Sequence, residues 1–209
     1  MIICGIDPAV RNIGLVIGEV AKLGDKPQIL FAETYRTKTQ EKRSSTFYEG
    51  EYDVLCAHHL TGCILQAFNQ WKPEFIAVEV GFGSRSRAAA NGLGVAKGLI
   101  GALMAFYPTT YAIVEPEEAK AVVVKGADKT IIQAWVKENF QFPWNGKKCE
   151  FEHQADAVAI LIGGMRKYLM EQKNALSKPL RRTKPEKKTR KKRRKRPPAR
   201  KRRKATGHK

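Results

Sequence analysis

No segment of this chain approaches the roughly 18 unbroken apolar residues that a membrane span needs, and Asp7 interrupts the only apolar run near the N-terminus. A basic leader followed by an apolar stretch is also missing, which argues against a secretory signal. Cysteine is scarce: Cys4, Cys56, Cys63 and Cys149 form no CxxC pair, and three of them lie in apolar surroundings. That usage excludes a disulfide framework and points to free thiols in a reducing compartment. Cys149 and His153 are four residues apart, but without a second Cys or His pair nearby they do not make a zinc site. The expectation is a soluble, intracellular protein with no membrane partner.

Acid is almost missing from one region only. Residues 178–209 carry 19 Lys or Arg against the single acid Glu186, a net of +18 out of the total of +19. The preceding 177 residues hold the other 20 basic and 19 acidic residues, a net of +1. The chain therefore divides into a nearly neutral domain over 1–177 and a polybasic tail from Lys178 to Lys209. The tail has too few apolar residues to form a core and is expected to be disordered. Such a polycation binds nucleic acid by releasing counterions, and carries no geometry for reading bases. A nuclear localisation signal is the rival reading of the same run, relevant only if the source is eukaryotic.

Within the domain, "IICGID" (2–7), "NIGLVIGEV" (12–20) and "QILFAETY" (28–35) read as strands separated by short turn-forming segments, hence as an antiparallel meander. Apolar spacing predicts a helix over 51–71, with Val54, Leu55, His58, Leu60, Ile64, Leu65 and Phe68 at helical positions, ending near Trp71-Lys72-Pro73. "FIAVEV" (75–80) reads as a strand buried on both faces. A helix over 86–106, a strand over 109–116 and helices near 116–123, 128–139 and 153–172 follow. The polar segment 36–50 is the expected mobile loop. Strands alternating with helices in the second half imply parallel pairing. The predicted class is α/β, a ribonuclease H-like mixed five-stranded sheet flanked by helices.

Two of the strands end in acids, Asp7 and Glu79, where a carboxylate is costly unless it reaches solvent, a partner or a metal. His153 and Asp156 are three apart and share a helix face. Taken singly, Asp7 before Pro8 reads as a turn residue, Glu79 as a surface acid, and Glu152, His153 and Asp156 as first-turn residues favoured by the helix dipole. Taken together, three carboxylates and an imidazole reach compatible ends of the inferred elements. Such an oxygen-rich set suits Mg²⁺ or Mn²⁺, two per site, in phosphodiester hydrolysis.

Several stretches resemble the RuvC family of Holliday junction resolvases, over most of residues 1–172. "GIDPAVRNIG" is similar to the family's opening strand, "IAVEVGF" to its second acidic motif, and "GLGVAKGLIGALM" to the helix that follows. "VVVKGADKTIIQAW" resembles its basic loop and next helix, and "HQADAVAILI" its last motif. The resemblance implies a metal-dependent, structure-selective endodeoxyribonuclease that resolves branched DNA by paired nicks. It implies Asp7, Glu79, His153 and Asp156 as catalytic and metal-holding residues, DNA contacts at Lys120 and Lys129, and Phe82 at the junction bases. It further implies a homodimer, and a cytoplasmic setting in a bacterium or a phage-infected host. Ala9 stands where the family usually has Gly, and Ile13 where it usually has Thr.

Beyond the resemblance, Arg85 and Arg87, flanked by Ser, are candidate phosphate contacts. "GLGVAKG" falls inside a predicted helix, so its glycines serve close packing, on the sheet or on a partner helix, rather than a dinucleotide loop. His58 and His59 read as structural, and Trp135 and Trp144 as packing residues. Two other functions use the same features: a nucleic-acid-condensing protein on a nuclease-like fold, and an RNA-directed nuclease of the same fold.

Overall fold

A computed structural model describes residues 1–9, 11–37, 49–81, 83, 86–144 and 147–177. Phe82, Arg85, the tail from Lys178, most of the 36–50 loop and the Cys149 side chain lie outside the described residues. The five strands are β1 (Ile2–Pro8), β2 (Asn12–Glu19), β3 (Gln28–Arg36), β4 (Phe75–Glu79) and β5 (Thr110–Val114). They form one sheet in the order β3-β2-β1-β4-β5. The first three pair antiparallel as a meander, and β4 and β5 add in parallel beyond β1. The mixed sheet is as the alternation of elements predicts.

Alternation along the strands sorts side chains to two faces. Cys4, Ile6, Ile13, Leu15, Ile17, Ile76 and Val78 pack on one face against α1 (Glu49–Trp71) and α2 (Arg87–Phe106). Ile3, Phe75, Ala77, Ala112 and Val114 pack on the other against α3 (Pro116–Lys120) and α5 (Lys148–Ser177), and α4 (Lys129–Asn139) joins that layer beside Val16 and Ala32. Ile13 is fully buried among apolar neighbours.

One buried face and two boundaries depart from the sequence reading, while the end of α1 is where it was expected. On α1 the buried stripe is Cys56, Leu60, Ile64, Ala67 and Phe68, whereas Val54, Leu55 and His58 face solvent. A contiguous run of apolar residues at the helix start does not say which side meets the sheet. Lys72, at φ 51°, closes α1 with its amide on the Phe68 carbonyl, and Pro73 prevents continuation. Helix α3 stops at Lys120 rather than 123 and passes into turns. The largest correction is at α5, which begins at Lys148, five residues before the expected start. Thr34 Oγ1 donates to the Glu150 carbonyl at 2.7 Å, and Arg36 lies 3.6 Å from the Glu150 carboxylate. Contacts from β3 therefore fix that first turn.

Among its described side chains, helix α2 buries Ala96, Leu99, Ile100 and Leu103, at helical spacing, and leaves Met104 and Phe106 exposed. Its window Ala89–Phe106 is long and apolar enough to cross a membrane by length and composition alone. That stretch is interrupted by Lys97, Asn91 and four glycines, Gly92, Gly94, Gly98 and Gly101. Its single buried stripe is that of a helix lying on a protein surface.

Candidate active site

Strand parity places the first two acids. Ile3, Gly5 and Asp7 alternate onto the α5 side of β1, and Phe75, Ala77 and Glu79 onto the same side of β4. The parallel register runs Ile3↔Phe75, Gly5↔Ala77, Ile6↔Val78. Asp7 and Glu79 thus stand one step beyond the last paired rung, on neighbouring strands that lie about 4.8 Å apart. β4 ends at Glu79 and β1 one residue after Asp7, so both carboxylates stand at the rim of the sheet.

Helix α5 supplies the other two. It lies directly on the sheet because three glycines remove the side chains that would hold it off. A β-carbon at Gly14 would collide with the His153 backbone carbonyl, and one at Gly5 with the Ala157 carbonyl and, at 2.8 Å, with Leu161 Cβ. A β-carbon on Gly164 of the helix would in turn collide with Ala77 Cβ. His153, Ala157, Leu161 and Gly164 repeat every three or four residues, the spacing of one helix face. With that face seated, His153 Nδ1 lies 2.8 Å from Asp7 Oδ2, and the imidazole N–H donates to the carboxylate.

The four residues surround one cleft of about 290 Å³, also lined by Pro116, Ala119, Lys120, Lys129, Ile132 and Ala159. Burial pushes Glu79 up to about 7, helped by repulsion from Asp7 and Asp156 and opposed by Lys120 and Lys129. Asp156 rises to about 6, by burial and then by the Asp7 charge. The hydrogen bond to Asp7 raises His153 against the opposing effect of its burial. Crowded carboxylates of this kind are relieved by a cation. Among the described residues no three His, Cys, Asp or Glu side chains stand close enough to hold one ion as they are, and Asp7 is engaged by His153. The donor chemistry fits a hard divalent cation, although a closed ligand shell is not preformed.

Of the sequence candidates, Asp7, Glu79, His153, Asp156, Lys120 and Lys129 come together in this cleft. Arg87, the first residue of α2, is exposed and is not among the residues lining it. His153 and Asp156 do not occupy a first turn: Glu150 does, so the dipole reading of the pair fails. Glu152 also lies beyond that turn and pairs with Lys129 instead. Two features escaped the sequence reading. Lys97 and Glu79 line a smaller adjoining recess with Pro8 and Leu93; the signal was a lone charge inside an apolar helix. Gly14 closes the quoted stretch GIDPAVRNIG, but its role depends on what crosses it.

The sheet order, the crossing helix and the position of the acids define a ribonuclease H-like domain. The solved structure of Thermus thermophilus RuvC in complex with a Holliday junction substrate is similar, with a TM-score of 0.64, 22% identity, and coverage of 82% of this chain and 96% of that one. The yeast mitochondrial Holliday junction resolvase superposes with a TM-score of 0.54 at 14% identity, covering 83% of each chain. No family model matches the chain. The crossover junction endodeoxyribonuclease RuvC of Pseudoalteromonas translucida (strain TAC 125) is 32% identical over 165 residues, 77% of this chain and 84% of the relative. The chain belongs to the RuvC family of crossover junction endodeoxyribonucleases.

Proposed function

We propose that this protein is a metal-dependent, structure-selective endonuclease that resolves four-way or otherwise branched DNA by paired nicks. The observation that carries the reading is the single cleft in which Asp7, Glu79, His153 and Asp156 meet Lys120 and Lys129. Family membership supports it. Asp7, Glu79, His153 and Asp156 are the residues that would hold Mg²⁺ or Mn²⁺, with two ions per site. The chemistry supplied by such ions when bound is activation of a water and stabilisation of charge on the leaving oxygen.

The chain's own groups do the rest. His153 orients the Asp7 carboxylate through its Nδ1–H. Lys120 and Lys129 attract the phosphodiester to the rim and fix it by charge, without reading sequence. The tail, +18 by composition, raises the local concentration of DNA around the domain. Two nicks in one junction call for two sites, hence a homodimer. Gly94, Gly98 and Gly101 support this: they share one face of α2, and among the described residues a β-carbon on any of them would meet nothing within 4 Å. An open small-residue stripe on an apolar helix suits close approach by the same helix of a second copy. Free buried thiols at Cys4 and Cys56 suit a cytoplasmic setting.

The test compares Mg²⁺-dependent cleavage of a four-way junction, a flap, an RNA–DNA hybrid and a linear duplex. The expected result is paired, symmetric nicking of the junction. Preference for the hybrid would identify an RNA-directed nuclease, and binding without cleavage a condensing protein. Asp7→Asn should reduce junction nicking by more than about a hundredfold while binding persists. Undiminished nicking by that variant would sink the assignment.

A further inference from the structure

Glu152 is not explained by the site as described. It is the fifth residue of α5, past the turn where the helix dipole rewards an acid, and Glu150 already occupies that turn. It does not line the cleft. Its carboxylate instead meets the ammonium of Lys129 from the neighbouring helix, so that an acid outside the cleft holds a lysine that lines it. With Lys129 63% exposed, an ion pair of this kind contributes little to folding. Lys129 is placed independently, as the first residue of a helix whose Asp128 cap accepts from the Ile131 amide at 2.9 Å.

We propose that Glu152 is a specificity-determining residue, whose carboxylate occupies Lys129 in the free protein as a stand-in for a DNA phosphate. The proposal rests on the endonuclease reading above. A carboxylate and a phosphodiester repel one another, so DNA gains Lys129 only by displacing Glu152. A branched substrate held at several points delivers a phosphate to the cleft at high effective concentration and wins that exchange. A linear duplex held loosely through its backbone does not, and for it Lys129 is already neutralised. Glu152 therefore weakens the wrong complex more than the right one, which is how a repulsive element creates selectivity.

The experiment measures binding of the full chain to a linear duplex and to a four-way junction over a range of salt, in EDTA so that nothing is cleaved. Glu152→Gln keeps the side chain's shape and removes its charge. It should tighten duplex binding several-fold and steepen the log–log salt slope on duplex by about 0.9, the signature of one more phosphate engaged. Junction binding should change little, so the junction-to-duplex ratio falls. Adding Lys129→Gln should erase the gain. The proposal is overturned if duplex affinity and slope do not move, if both substrates tighten equally, or if the gain survives without Lys129. Failure of the wild-type chain to prefer the junction would overturn the endonuclease reading instead, and that is seen before any variant is made.

Discussion

The two faces of the sheet use glycine in opposite ways. On the α5 face, Gly5 and Gly14 are places where even a methyl group would collide with the helix backbone. On the outward side of α2, Gly94, Gly98 and Gly101 have open space where a side chain would be. The first set fixes an internal distance, the depth at which α5 rests and hence the reach of His153 and Asp156 towards Asp7 and Glu79. The second leaves a surface that the described residues do not fill. One residue type thus marks a completed contact on one face and an unused one on the other, and its neighbours, not its identity, decide which.

Substituting the inner set should have the largest effect. Gly14→Ala forces α5 away from the sheet at His153, and overpacking of that kind costs about 1–3 kcal/mol. Thermal unfolding should fall and junction nicking should be lost with it. A variant that melts and nicks like the wild type would show that α5 is not held at that depth by contact with β2.

An intermediate effect belongs to the carboxylates where α5 meets the sheet. Glu79 and Asp156 are raised in the folded state, so the folded protein binds protons more tightly than the unfolded chain. Stability from these groups is fully present below their ordinary values near 4.5 and 3.8, and is lost as pH rises through about 7 and about 6. In EDTA, unfolding by denaturant should become easier between those limits. Glu79→Gln should flatten the profile by about 1–2 kcal/mol, because the carboxyl is partly exposed and screened. A profile unchanged by that substitution would contradict the crowding of charge in the cleft.

The smallest effect on folding should come from the outer set. Gly98→Glu introduces a charge into open space and should move stability by no more than about 0.5 kcal/mol. Its consequence should appear in association: sedimentation should shift from dimer to monomer, with paired nicks becoming single ones. A monomeric wild type, or a dimer indifferent to Gly98→Glu, would assign the outer stripe another role.

Much of this is legible in the amino-acid sequence alone. Strand-ending acids after apolar runs singled out Asp7 and Glu79, and helical spacing put His153 and Asp156 on one side. The reading failed where a boundary depends on partners. The true start of α5 is set by Thr34 and Arg36 reaching Glu150 from a strand more than a hundred residues earlier. The buried stripe of α1 likewise could not be chosen from Val54 and Leu55, since only the sheet beneath it distinguishes one side of the helix from another.

By itself the sequence determined the order of elements, the class of the sheet, the separation of a neutral domain from a polycation, and the identity of the donor groups. These follow from local periodicity and composition, which each segment carries within itself. Tertiary structure alone decided that β1 and β4 lie in register with Asp7 and Glu79 on one face, that Gly14 admits α5 to the sheet, and that Glu152 holds Lys129. Each of these is a meeting of residues distant in sequence, and packing geometry, which no local pattern records, is what brings them together.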